Sequence, residues 1–280
     1  LGHDVVRCLH RDRSGSIWVG TAFGGVSKFT SEAFLYITER DGLGSRIVSA
    51  VHRTPDGTLW IGTLGGGLSY YDGQRMTHLP PPTGPPSPYI TCLATDAQGH
   101  LLVGTATHGL HRFRAGHWEQ VWSADAPQAQ QVYDVATLGH GALLIAAADG
   151  LHLLQGNKRT SYLRGRVIQD LVVTTDTVWC ATDKGLYAGV VADSLELQLV
   201  GGIPMVSYNA LAQDSKGNLW LGTTAHGLVR KRGTRTKTYG RDAGLQSLAI
   251  ECVVLDALEN IWLGTKQGIH LVELDALQEQ

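Results

Sequence analysis

The sequence has little net charge, few cysteines and no long apolar run, and these shortages exclude several classes of protein. Its 280 residues carry 23 lysines and arginines against 25 aspartates and glutamates, a formal net charge of −2. Such a surface has no basic field to hold a phosphate backbone, so nucleic acid is not an expected partner. The longest apolar runs, such as 142–154, are interrupted by Asp149 and Gly150. They are too short to cross a bilayer, which takes about 20 residues, so no membrane segment is expected within this chain.

Glycine is abundant, with 35 residues, and it recurs in a repeated motif. The stretch DSKGNLWLGTTAHGL at 214–228 nearly repeats DRSGSIWVGTAFGGV at 12–26. Aligned on its tryptophan or leucine, the motif occurs seven times, at steps of 35 to 42 residues: Trp18, Trp60, Leu102, Leu144, Trp179, Trp220 and Trp262. A period of about 42 residues, made of short β-rich runs and glycine turns, is typical of a four-stranded propeller blade. Stacked helices would be destabilised by so much glycine.

We therefore predict an all-β fold, a single seven-bladed β-propeller formed by residues 1–280. The expected blades cover approximately 1–41, 42–83, 84–125, 126–162, 163–200, 201–242 and 243–280. In the motif, the Asp and Gly of D-x-x-G form a tight hairpin turn. The Trp fills the space between blades, and the Gly-Thr pair lets the neighbouring sheet approach. The fourth and fifth repeats depart most from this pattern.

The repeated motif resembles the two-component regulator propeller repeat, most completely at 54–68, TPDGTLWIGTLGGGL. The resemblance extends over essentially the whole chain. It implies a sensor domain on the periplasmic or extracellular side of a bacterial membrane protein, such as a histidine kinase, a hybrid two-component system or a diguanylate cyclase. It also implies that catalysis lies outside this segment. The implied partners are a small molecule such as a saccharide, or adjacent signalling domains, and the parent protein could form a dimer.

The expected binding residues lie where the innermost strands and the links between blades reach one face of the ring. Aligning the seven inner strands gives a polar residue at one position in each: Arg7, Ser49, Thr91, Tyr133, Gln169, Asn209 and Glu251. The links add three residues to this rim, and aromatic faces beside planar hydrogen-bonding groups suit sugars or peptides. The predicted ligand-binding residues are Arg7, Arg46, Tyr89, Tyr133, Arg166, Gln169, Asn209 and Glu251. A water-lined channel accounts for the polar ring equally well.

Asp134 and Asp170 occupy the next position on two neighbouring inner strands. They could pair for acid–base chemistry or cation binding, but the favoured interpretation is that each hydrogen-bonds backbone or water near the channel. Two alternatives to a sensor remain, a propeller enzyme resembling a streptogramin-type lyase and a protein-interaction scaffold. A lyase needs a base positioned against its substrate.

The cysteines and histidines do not predict a disulfide or a metal site. Cys8, Cys92 and Cys252 share one strand position, so their side chains point the same way, and we expect free buried thiols. His108 and His226 occupy equivalent loop positions on nearly opposite sides of the ring, too far apart to share a zinc ion. The sequence therefore predicts no metal, no cofactor and no catalytic residue.

The last repeat has residues for only three strands, and LGHDVV at 1–6 aligns with the blade-linking LGSRIV at 43–48. We expect the missing outer strand to be encoded before Leu1, in a larger parent protein. A version extended upstream of Leu1 should then unfold at a higher temperature, because the added strand covers an exposed sheet edge. Equal thermal midpoints for the two versions would contradict this expectation.

Overall fold

The computed structural model describes residues 1–29, 34–80, 82–175, 177–191 and 195–272. These residues form seven antiparallel sheets that follow one another along the chain. Within each sheet the strands pair in sequence order, as an up-and-down meander. The prediction of an all-β, seven-bladed propeller is confirmed, with six blades of four strands and a last blade of three in the described part of the chain.

The first four blades contain strands β1 to β16. Blade 1 is β1 (Val6–Arg11), β2 (Ile17–Thr21), β3 (Val26–Phe29) and β4 (Phe34–Ile37). Blade 2 is β5 (Val48–Arg53), β6 (Leu59–Thr63), β7 (Gly67–Tyr71) and β8 (Met76–Leu79). Blade 3 is β9 (Ile90–Thr95), β10 (Leu101–Thr105), β11 (Leu110–Arg114) and β12 (His117–Trp122). Blade 4 is β13 (Val132–Thr137), β14 (Leu143–Ala147), β15 (Gly150–Gln155) and β16 (Lys158–Tyr162).

The last three blades contain strands β17 to β27. Blade 5 is β17 (Ile168–Val173), β18 (Thr177–Thr182), β19 (Gly185–Val191) and β20 (Leu195–Leu199). Blade 6 is β21 (Tyr208–Gln213), β22 (Leu219–Thr223), β23 (Leu228–Arg232) and β24 (Arg235–Tyr239). Blade 7 is β25 (Ile250–Leu255), β26 (Ile261–Thr265) and β27 (Gly268–Val272). Short 3-10 turns lie between strands, at Glu39–Asp41, Pro127–Ala129, Gly139–Gly141 and Arg241–Ala243.

The innermost strand of each blade packs against the innermost strands of both neighbours, and β25 of blade 7 packs against β1 of blade 1. These contacts close the ring. The motif tryptophans fill the space between blades, as predicted. Trp18 of blade 1 packs with Val48 and Val51 of blade 2, and Trp262 of blade 7 packs with Val6 and Leu9 of blade 1.

The D-x-x-G turn is joined to the tryptophan by hydrogen bonds. In blade 6, Asp214 accepts the backbone N–H of Asn218 at 2.8 Å and the indole N–H of Trp220 at 3.0 Å. Gly217 completes the turn with a φ of 78°. Asp12 binds the indole N–H of Trp18 in the same way, at 3.0 Å. The spacing that recurs in the motif therefore fixes both the hairpin turn and the rotamer of the tryptophan side chain.

A glycine in the second strand lets the next blade approach closely. A Cβ built on Gly222 of blade 6 would lie 2.7 Å from Cγ2 of Ile250 in blade 7. A Cβ on Gly264 of blade 7 would lie 2.7 Å from Cγ1 of Val6 in blade 1. Real side chains do not tolerate such distances, so in these blades the first residue of the next inner strand occupies the space that the glycine leaves.

Replacing Gly222 with alanine should therefore destabilise the ring by about 1 to 3 kcal/mol, the usual cost of overpacking a core. Gly201→Ala is a matched control, because a Cβ on Gly201 meets no atom within 4 Å. That control should be neutral or slightly stabilising, since alanine reduces the entropy of the unfolded chain. Urea denaturation measures both, and equal midpoints for the two variants would show that the close approach is not required.

Candidate functional site

The predicted polar ring coincides with a β-bulge in every blade. The ladder between the first two strands of each blade skips the second residue of the inner strand. The skipped residues are Arg7, Ser49, Thr91, Tyr133, Gln169, Asn209 and Glu251. A bulge adds an unpaired residue and redirects its side chain. The same distortion, repeated around the ring, forms one level of the channel wall.

Six of the seven bulge residues line a central cavity of about 320 Å³, together with Asp134 and Asp170. They are Arg7, Ser49, Thr91, Tyr133, Asn209 and Glu251. Gln169 has the equivalent strand position but is not among the described residues that line this cavity. The structure therefore brings four predicted ligand-binding residues to one site, Arg7, Tyr133, Asn209 and Glu251.

The three predicted residues from the links lie elsewhere on the rim. Arg46 forms an ion pair with Glu39 at 3.2 Å and lines a separate cavity of about 380 Å³ beside Phe23. Tyr89 forms an isolated bridge with Leu64 and is 48% exposed. Within the described residues, Arg46, Tyr89 and Arg166 do not line the central cavity. The links between blades lie on the same face as the loops that join the second and third strands of a blade. In blade 3, for example, the N–H of Ala106 in the loop between β10 and β11 donates to the carbonyl of Tyr89 in the link.

Three of the bulged side chains connect neighbouring blades. Ser49 Oγ donates to the carbonyl of Ile90 at 2.5 Å, and Thr91 Oγ1 donates to the carbonyl of Val132 at 2.5 Å. Asn209 Nδ2 donates to the carbonyl of Ile250 at 3.1 Å. In each case the acceptor is the first residue of the next inner strand. The polarity at these three positions is therefore partly structural.

Arg7, Tyr133 and Glu251 have no such contact. Arg7 is exposed, and the Tyr133 hydroxyl makes no hydrogen bond to the described residues. Burial raises the pKa of Tyr133 above its usual value, so the hydroxyl stays protonated at neutral pH and can donate. Glu251 Oε1 lies 3.7 Å from Nζ of Lys266. These groups offer a cation, a neutral donor and an anion to a molecule in the cavity.

Asp134 and Asp170 form a coupled pair that joins three blades. The backbone N–H of Leu171 in blade 5 donates to both carboxyl groups, at 3.0 Å to Asp134 Oδ2 and 2.8 Å to Asp170 Oδ1. The N–H of Leu211 in blade 6 donates to Asp170 Oδ2 at 2.6 Å. The favoured interpretation from the sequence, in which these carboxyl groups accept backbone hydrogen bonds, agrees with this geometry.

Burial raises the pKa of both aspartates, and the charge of Asp134 raises that of Asp170 further. Both aspartate side chains are partly exposed, and they face the narrow central channel. The carboxyl groups also interact with each other, which favours one proton held between them. The pair therefore connects blade 4 to blade 5 and blade 5 to blade 6, and few of its carboxylate oxygens remain available to a ligand.

The cysteines are free, as expected, and burial raises the pKa of Cys8 to about 12. A thiol with this pKa is unreactive at neutral pH. His108 and His226 are exposed loop residues whose backbone N–H groups donate to Thr105 and Thr223 of the Gly-Thr pairs. Across the described ranges, no three His, Cys, Asp or Glu side chains are grouped to hold a metal ion.

Two cavities were not predicted from the sequence. One, of about 800 Å³, lies between the outer parts of blades 3 and 4 and includes Arg112, Trp122 and Arg159 in its wall. The other, of about 390 Å³, lies on the hairpin face of blades 1 to 3. The second had a signal in the sequence, because the dipeptide His-Arg occurs at equivalent repeat positions, 10–11 and 52–53.

Comparison with known families gives one match. The family model Two component regulator propeller matches residues 1–23, 42–65 and 201–225. These three segments match the repeat of that family, which confirms the resemblance noted from the motif. Comparison with curated proteins finds no match.

Solved propellers share the fold at low sequence identity. The extracellular domain of a hybrid two component system from B. thetaiotaomicron superposes with a TM-score of 0.81 and 20% identity, over 96% of this chain and 38% of that one. PorZ, a surface component of the type-IX secretion system of Porphyromonas gingivalis, gives 0.77 and 14%, over 97% and 46%. Virginiamycin B lyase from Staphylococcus aureus gives 0.73 and 14%, over 96% and 94%.

The chain spans less than half the length of the first two of these proteins. In the part of the chain that the structure describes, no helix has the length and apolar character needed to cross a bilayer.

From the raised pKa of the aspartate pair we predict an unusual pH dependence of the stability of the folded protein. Because the folded state keeps a proton that the unfolded state releases above about pH 4, stability should fall as pH rises from there through the raised pKa of the pair. Asp170→Asn keeps a neutral acceptor for the Leu211 N–H and removes the charge, so it should flatten this decline. Asp242→Asn, at an exposed position, is the control and should leave the decline in place. Denaturation between about pH 5 and pH 8 tests this, and an unchanged slope in Asp170→Asn would refute the shared proton.

Proposed function

Since the chain contains two component regulator propeller repeats, we propose that it is an extracytoplasmic sensor domain of a bacterial signalling protein. Its ligand is a small polar molecule such as a saccharide, bound at the mouth of the central channel. The output domain lies outside these residues. The extracellular location of the B. thetaiotaomicron domain supports this placement.

The observation that carries the proposal is the ring of bulged polar residues around the central cavity. Its volume of about 320 Å³ is at the lower end of the usual range for ligand sites, which suits a small molecule better than a polymer. Arg7, Tyr133 and Glu251 offer opposite charges and an aromatic ring with a free hydroxyl within one wall. A sugar presents both hydroxyl groups and an apolar ring face, and these groups match it.

The same geometry gives a way to transmit binding. Ser49, Thr91 and Asn209 line the cavity and also hold the first residue of the next inner strand. A ligand that competes for one of these side chains changes the contact between two blades. A ligand shifts a conformational equilibrium only if it binds the two conformations with different affinity. We therefore expect these hydrogen bonds between blades to couple ligand binding to a neighbouring domain.

A lyase remains the second candidate, favoured by the shared fold over 94% of the virginiamycin B lyase chain. Its base would be Glu251, because the other carboxyl groups in the cavity wall, Asp134 and Asp170, are engaged by backbone N–H groups. We expect no catalysis by this domain, so a bound ligand should be recovered unchanged. Incubation of the protein with its ligand and with a streptogramin B, followed by mass spectrometry, separates the two functions: a protein-dependent product would establish an enzyme.

Calorimetric screening of monosaccharides, disaccharides and short peptides should identify a ligand whose affinity depends on the bulge ring. Glu251→Gln and Tyr133→Ala should each weaken binding about tenfold, the usual loss when a hydrogen bond involving a buried or charged group is removed. Glu196→Gln is the matched control, because Glu196 is exposed on the outer strand of blade 5. A ligand whose affinity is unaffected by both cavity variants would place the site elsewhere.

A further inference from the structure

The face opposite the proposed ligand site has a cavity of its own. It lies where β1, β5 and β9 reach their hairpin turns, in blades 1 to 3, and has a volume of about 390 Å³. Imidazole and charged side chains dominate its wall, from two histidines, three arginines and two aspartates. The D-x-x-G residues of this face form the hairpin turns of the blades. The composition of the cavity wall indicates more than that.

The positive charge in this cavity exceeds the negative charge. Asp12 forms an ion pair with Arg53 at 3.0 Å. Asp96 is paired with Arg112, which lies outside the cavity wall, at 2.8 Å. Both carboxylates are therefore compensated, and the charges of Arg11 and Arg13 remain.

The two remaining guanidinium groups contact only carbonyl oxygens within the described residues. Arg11 Nη1 donates to the carbonyls of Leu255 at 3.1 Å and Asp256 at 2.7 Å. Arg13 Nη1 lies 3.5 Å from the carbonyl of Pro55, which is a long contact. Neither arginine is within ion-pair distance of a described carboxylate, so Arg13 in particular is free to turn toward an anion.

The histidines add neutral donors to the same wall. His10 Nε2 accepts the backbone N–H of Arg53 at 3.2 Å, which places the ring proton of the neutral form on Nδ1. That Nδ1 makes no hydrogen bond to the described residues. His52 Nε2 lies 2.5 Å from Thr95 Oγ1, and the centroids of the His10 and His52 rings lie 5.4 Å apart in an edge-to-face arrangement. The cavity thus combines two uncompensated arginines with an imidazole N–H that has no partner.

From this combination we infer a second binding site, for a small oxyanion such as a sulfate, phosphate or carboxylate group. Arg13 supplies the movable charge, Arg11 a fixed one, and His10 a hydrogen bond from Nδ1. Guanidinium groups match the geometry of such anions, and a partly enclosed cavity strengthens the interaction over that at an open surface. This site lies on the opposite face from the channel mouth, so it does not depend on the proposed sensor ligand.

Binding at this site should strengthen as the pH falls. Burial lowers the pKa of His10 and of His52 to about 4, so both imidazoles are neutral at pH 7. The charged groups that face them are Arg11, Asp12, Arg13, Arg53 and Asp96. An anion stabilises the protonated imidazole and raises its pKa above about 4, so the complex takes up a proton, and affinity rises as the pH falls from about 6 toward 4.

Titration with sodium sulfate at constant ionic strength, followed by calorimetry, tests this site in the protein as it stands. Saturable binding is expected, and Arg13→Ala should weaken it about tenfold. Lys216→Ala is the matched control, because Lys216 is an exposed cation in the corresponding turn of blade 6, and it should have no effect. Phosphate and acetate titrations then show which oxyanion the cavity prefers.

The pH dependence supplies a second readout that a general surface charge does not provide. Sulfate stays ionised between about pH 4 and pH 6, so any gain in affinity over this range reports on the protein. His10→Gln should abolish that gain while the fold, followed by circular dichroism, is retained. Absence of saturable sulfate binding would overturn the inference, and so would equal losses in Arg13→Ala and Lys216→Ala.

Discussion

The close approach of an inner strand to a glycine in the second strand of the preceding blade is the constraint on which five of the seven contacts between blades depend. Gly222 and Gly264 leave room for Ile250 and Val6, and no side chain larger than hydrogen fits there without displacing a neighbour. Once the backbones are this close, the tryptophan of one blade reaches the core of the next. The contact between Trp262 and Val6 then closes the ring, by the same packing of a motif tryptophan against the next blade that is seen at Trp18.

The bulge on the inner strand follows from the same packing and places a polar side chain in the channel wall of most blades. Where the preceding blade has this glycine, the first residue of the inner strand enters the space that the glycine leaves. The second residue of every inner strand leaves the ladder and turns to the channel. In blades 4 and 5 alanines replace that glycine, at Ala146 and Ala181, and aspartates stand opposite them. These two blades, the most divergent in sequence, therefore carry the coupled carboxyl pair. Divergence from the repeat marks a specialised part of the ring, where polar groups replace the packing used elsewhere.

Much of this structure could be predicted because the repeat is periodic and its chemistry is local. The turn at Asp214, the position of Trp220 and the polar level of the channel all depend on residues close together in sequence. The rest depends on contacts between blades, which the periodic pattern does not encode. Ser49 and its acceptor at Ile90 are an example. For the same reason the link residues were assigned to one rim although Arg46 lies in a separate cavity, and the basic cavity on the hairpin face was missed.

We propose that the bulged residues of the inner strands form the ligand site of this propeller. A crystal structure of the protein with a ligand identified by screening tests it most directly. We expect density for the ligand in the central cavity, in contact with Arg7, Tyr133 or Glu251. Ligand density found solely between the outer parts of blades 3 and 4, or on the hairpin face, would contradict it.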